Sequence, residues 1–186
     1  DINLLNMKSF PLQFHVFKNC LALCLGIFLG VQGMAQDSQF EKYKQETFEA
    51  LQNISQDSLD EETKSLVDTL LQTFQTPTKD TTLFQLINVA LSKVNVSKYS
   101  FPLEVGDLVN KMYVEKLKEN LSTEVREYLT SRHIRLLNNK AQIMAILNRQ
   151  YEGFEVFYDA LALAETYEDT FMITFLLVEL GISQFN

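Results

Sequence analysis

AQIMAILNRQYEGFEVFYDALALAETYEDTFMITFLLVELG, residues 141–181, decides how this chain folds. It reads as a helical hairpin, Ala141–Gln150 and Phe154–Tyr167, followed by a third helix, Phe171–Phe185. The second arm carries Gly153, Phe157, Ala160 and Ala164 at three-, four- and seven-residue steps, which puts them on one helical face. Small side chains on that face let two helices approach closely, and the aromatic ring fills the wedge between them.

The hairpin resembles a tetratricopeptide repeat, a helix–turn–helix unit of about 34 residues. Ala141 stands at the family's small position in the first helix. Gly153 and Ala160 form the small pair seven residues apart in the second, and Phe157 lies between them. Residues 160–165, ALALAE, are close to the run common in bacterial copies, and Leu177, Leu180 and Gly181 resemble the opening of a further repeat. Three departures stand out. Lys140 replaces the usual leucine, Met144 replaces a tyrosine, and no proline closes the unit. Ala141 and Gly181 are also 40 positions apart, which implies an insertion near Thr166–Asp169. The resemblance implies an all-α chain of antiparallel hairpins forming a right-handed α-solenoid of tetratricopeptide type.

Upstream, the same helical period continues in less regular form. Phe40, Tyr43, Thr47, Leu51 and Ile54 share one stripe. Ser58 and Glu61 suit a capping box opening a helix with Thr63, Leu66, Val67, Leu70, Leu71 and Phe74 inward. Asp80 is a plausible cap for a third helix with Leu83, Ile87, Ala90, Leu91 and Val94 inward. Val96–Pro102 interrupts the pattern, which resumes over Glu104–Leu121 with Val105, Leu108, Val109, Met112, Tyr113 and Leu117 on one face. Val125, Tyr128, Leu129 and Leu136 line the following helix, for which an unbroken run into the hairpin is one reading. Few glycines and prolines, 6 and 3 in 186 residues, favour long helices. Residues 37–122 are thus expected to form divergent hairpins, and residues 123–186 one repeat and the start of the next.

Residues 1–36 read differently. Asp1–Asn6 precede Met7, after which Lys8 and Lys18 are the only charges before the apolar run Cys20–Val31, and Gly33-Met34-Ala35 suits a cleavage site. Twelve apolar residues in a helix reach about 18 Å, short of a hydrocarbon core of about 30 Å. A cleavable signal peptide is therefore expected, with export to the periplasm or cell envelope of a bacterium and no membrane span in the mature segment. Both cysteines, Cys20 and Cys24, fall in this segment, leaving no disulfide or thiolate chemistry for the remainder. Removing Asp1, Lys8 and Lys18 from totals of 24 acidic and 16 basic side chains leaves 23 against 14, a net charge of −9. That balance opposes unaided nucleic-acid binding, which needs cations to displace phosphate counterions.

Catalytic motifs are absent, and no cofactor or metal is implied. His133, the single histidine after residue 36, has neither a cysteine nor a suitably spaced acid and reads as a partly exposed helix residue. Asp60, Glu61 and Glu62 suit the positive end of a helix dipole rather than a calcium loop. First helices of such repeats line a concave groove. On the helix leading through Ala141, Arg135, Asn138 and Gln142 would face it, able to hydrogen-bond a protein or peptide partner. Phe171, Phe175, Val178, Ile182 and Phe185 form an apolar stripe with no later helix in this sequence to cover it. The chain is expected to be the N-terminal part of a longer protein. The resemblance implies a non-enzymatic interaction or sensory domain, like those of bacterial sensor histidine kinases and helix-turn-helix regulators. A freestanding envelope scaffold is the alternative.

Overall fold

Scarce breakers and a sustained apolar period leave the backbone few alternatives to helix. The computed structural model describes residues 39–56, 59–95 and 100–185, the last four through their backbone only. Among them are seven helices and no strand. They are α1 (residues 39–52), α2 (Glu61–Gln75), α3 (Asp80–Lys93), α4 (Phe101–Lys118), α5 (Thr123–Ile146), α6 (Gln150–Thr166) and α7 (Thr170–Phe185). The chain is all-α, and its inward stripes lie where the periodicity set them. The expected signal peptide lies outside the described residues.

Helix ends are where local chemistry departs from expectation. The α2 cap is Asp60, whose carboxylate accepts the Thr63 amide at 2.9 Å. Asp80 is no cap: Lys79 takes that position, and the Asp80 carboxylate pairs with Lys116 at 2.7 Å. Helix α4 opens at Phe101 and places Pro102 in its first turn, where a missing N–H costs nothing. Ser122 caps α5, which runs 24 residues without a break.

The hairpin turns at Leu147–Arg149, so Gln150 starts α6 rather than ending α5. Asn148 takes φ 59°, and Arg149 donates its amide to Met144 O at 2.8 Å. Glu168 repeats this at φ 53°, with Asp169 donating to Ala164 O at 3.0 Å. One left-handed residue lets the chain satisfy its last carbonyls and double back. Because both linkers are three residues long, the expected insertion near Thr166–Asp169 is absent. Asp169 caps α7 through Met172 N at 3.0 Å.

Two apolar clusters form the core. The larger joins Phe40 and Leu51 of α1, Leu70 of α2, Leu83, Phe84 and Ile87 of α3, Val109, Met112 and Tyr113 of α4, and Leu129 and Leu136 of α5. The smaller joins Ile134, Leu137 and Ala141 of α5 to Phe157, Ala160 and Ala164 of α6 and Met172 and Leu176 of α7. Helix α5 belongs to both, and Phe40–Asn186 form one unit. Alternate helices also touch: α3 meets α5, α5 meets α7, and Phe40 of α1 rests on Phe84 of α3 with centroids 6.2 Å apart. Among the described residues, no helix is long and apolar enough to cross a membrane.

Candidate functional site: a groove along α3, α5 and α7

The close approach of α6 to α5 follows from Gly153. A Cβ built there would stand 2.9 Å from Ala141 O, so only glycine lets α6 lie this near α5. Ala160 and Ala164 are fully buried further along the seam. Gly181, by contrast, has nothing within 4 Å of a built Cβ, so nothing in the described packing demands a small residue there.

Beside this seam lies an open cavity of about 390 Å³. Its wall is mostly apolar, with Ala145 and Ile146 from α5 and Phe154 and Phe157 from α6. The polar groups are Gln142, Gln150 and Glu179, and Gln142 Nε2 donates to Glu179 Oε2 at 2.8 Å across the α5–α7 gap. A second cavity of about 150 Å³ lies between the end of α3 and α5, lined by Leu91, Val94, Asn139, Gln142, Ile143 and Ile146 among others. Gln142 and Ile146 border both. This pair thus stands between a cavity bounded by α3 and α5 and a larger one bounded by α5, α6 and Glu179 of α7.

Of the three residues expected to face a groove, the structure brings one into it. Gln142 stands at its centre. Arg135 is exposed but lines neither cavity. Asn138 is only 4 % exposed and faces the interior, so it is not offered to a partner. It stands four residues after Ile134 and three before Ala141, both buried, and shares their inward face. Sequence reasoning missed Ile146 and Glu179. Ile146 is 55 % exposed, and an isoleucine one turn beyond Gln142 at a helix end was the available signal. Nothing local marks Glu179, because its role depends on α7 lying against α5.

His133 also departs from expectation. It is buried, not partly exposed, and stacks on Tyr113 with ring planes 7° apart and centroids at 5.0 Å. Tyr113 in turn stacks on Phe84 at 4.0 Å. His133 Nε2 donates to Asn110 Oδ1, while Asn88 Nδ2 donates to the Tyr113 hydroxyl and to Arg132 O, each at 3.0 Å. Burial lowers the His133 pKa from 6.5 to about 4, so the ring is neutral at pH 7. Burial likewise raises the Tyr113 hydroxyl, partly opposed by the Asn88 hydrogen bond. The imidazole is thus neutral, enclosed and lines neither cavity.

Lys116 ties the lower helices together. It pairs with Asp80 of α3 and Glu119 at 2.7 and 2.8 Å and sits 4.9 Å from the Phe40 ring centre. Burial opposes its charge, but the two carboxylates outweigh that and raise its pKa. Lys140, the departure from the repeat pattern, pairs with Asp107 of α4, which gives that position a use a leucine lacks. Among the described residues no three His, Cys, Asp or Glu side chains converge as metal ligands. Against protein-family models, curated proteins and solved structures, the chain finds no match.

Proposed function

We propose that this chain is a non-enzymatic protein–protein interaction or sensory module of tetratricopeptide-like hairpins that holds a partner in the α3–α5–α7 groove. The observation that carries this reading is that Gln142 and Ile146 border both cavities, one between α3 and α5 and the other among α5, α6 and α7. A half-exposed isoleucine beside an amide is a pairing that a docking peptide can cover and hydrogen-bond. The seam of Ala141, Gly153, Phe157 and Ala160, and the contact of α3 with α5 and α5 with α7, support a solenoid arrangement of first helices. The resemblance extends this to an exported sensory head of a signalling protein.

The test is site-directed photocrosslinking in the source cell, with the photoreactive residue replacing Ile146 and, as control, the exposed Val114 of α4. A discrete protein adduct from position 146 and none from 114 is expected. Equal labelling from both positions would remove the groove as the docking site.

A further inference from the structure

Along α5, Tyr128, Arg132, Arg135, Asn139 and Gln142 recur at steps of four and three and so share one face. Gln85, Val89 and Ser92 do the same on α3. The two faces adjoin. The Tyr128 hydroxyl donates to Gln85 Oε1 at 3.2 Å, and Asn88 Nδ2 donates to Arg132 O at 3.0 Å. Further along, Ser92 and Asn139 line the smaller cavity together. Between these crossings Val89 and Arg135 are exposed and Arg132 is half-buried.

Carboxylates are missing from this face. Residues 81–94 of α3 and its cap, and residues 128–146 of α5, contain no aspartate or glutamate, in a chain that has 24. The hydrogen bonds between α3 and α5 set these two stretches side by side, so the acid-free region is continuous in space. Elsewhere Lys42, Lys44, Lys116, Lys118, Lys140 and Arg149 each pair with a carboxylate. Among the described residues no carboxylate pairs with Arg132 or Arg135. The Arg132 guanidinium lies instead over the Tyr128 ring, 5.2 Å from its centre. That contact restrains the fork without using its N–H donors.

We propose that the α3–α5 face takes a short acidic segment of a protein partner, its carboxylates on Arg132 and Arg135 and an apolar side chain against Val89. This partner chemistry rests on reading Gln142 and Ile146, further along the same helix, as part of a docking site. Arginine suits the role because its planar fork presents paired donors that match a carboxylate. The two forks stand one helical turn apart, about 4.5 Å along the axis, within the span of one short segment. The net charge of −8 repels a long polyanion, so nucleic acid is disfavoured where a few carboxylates are not.

The full chain is immobilised and screened against a random-peptide display library, in parallel with its Arg132→Gln, Arg135→Gln and Lys118→Gln variants. The unaltered chain is expected to select peptides enriched in aspartate and glutamate. Lys118→Gln, which removes an equal charge from α4, keeps that enrichment, and each arginine variant loses it. By calorimetry, a selected peptide weakens about tenfold when its acids are exchanged for amides, and severalfold as salt rises from about 0.05 to about 0.5 M. Selection of no peptide, selection without an acidic excess, or equal loss in all three variants would overturn the proposal. The crosslink from position 146 is read independently. A 146-specific adduct alongside peptides with no acidic excess would leave the docking reading standing while this one fails. Arginine-dependent acidic selection with no such adduct would do the reverse.

Discussion

The lower bundle and the upper hairpin solve helix packing in opposite ways. Around α1–α4 and the front of α5, large side chains do the filling, with Phe84, Tyr113 and His133 stacked as one column and Asn88 and Asn110 bonding its edges. Between the back of α5 and α6, side chains are removed instead, at Gly153, Ala160 and Ala164, and the backbones close up. The charges divide likewise: cations and anions interleave below, and only anions occur from Gln150 onward. The lower part reads as scaffold, the upper as surface.

If that contrast is right, truncation should hurt below and enlargement should hurt above. Tyr113→Ala empties the centre of the column and removes one of the two acceptors of Asn88 Nδ2, so we expect a loss of about 3–5 kcal/mol in urea unfolding. Tyr151→Ala, at a residue 89 % exposed, should stay within about 0.5 kcal/mol.

The column also carries the pH response. Because His133 is held neutral with a pKa near 4 against 6.5 in the unfolded chain, unfolding takes up a proton between those values. Its contribution is intact above pH 6.5 and declines as pH falls toward 4, by up to about 3 kcal/mol. Urea midpoints measured at pH 5.0 and 7.0 should converge in His133→Gln, which cannot titrate. An unchanged pH slope in that variant would dissociate the effect from this ring.

Enlargement is the complementary break. Gly153→Ala drives a methyl against Ala141 O, a backbone atom that cannot rotate away, and should cost about 1–3 kcal/mol. Hydrogen exchange should speed up in α6 and α7 and leave α1–α4 unchanged. The same substitution at Gly181 meets open space, so comparing the pair isolates close approach from helix propensity. A milder loss is expected at Asp60→Ala, where removing the Thr63 cap should lower stability by about 1 kcal/mol.

Much of the fold was legible because apolar period reports a helix's inward face without reference to any neighbour. Thr63, Val67 and Leu70 on α2, and Leu83, Ile87, Ala90 and Leu91 on α3, are buried as that period implies. The groove was legible only in part. Gln142 follows from its place beside Ala141, but Asn138 shows the limit, since a polar residue one turn away is buried by helices the period does not locate.

The sequence by itself determined the all-helical class and the close seam at Ala141, Gly153 and Ala160, because each rests on steps of three, four or seven within one helix or one short hairpin. Tertiary structure alone decided that His133 is enclosed, that Asp80 pairs with Lys116 instead of capping, and that Gln142 meets Glu179 across 37 residues of chain. Periodicity orients a side chain about its own helix axis; what stands opposite it is set by how separate helices pack.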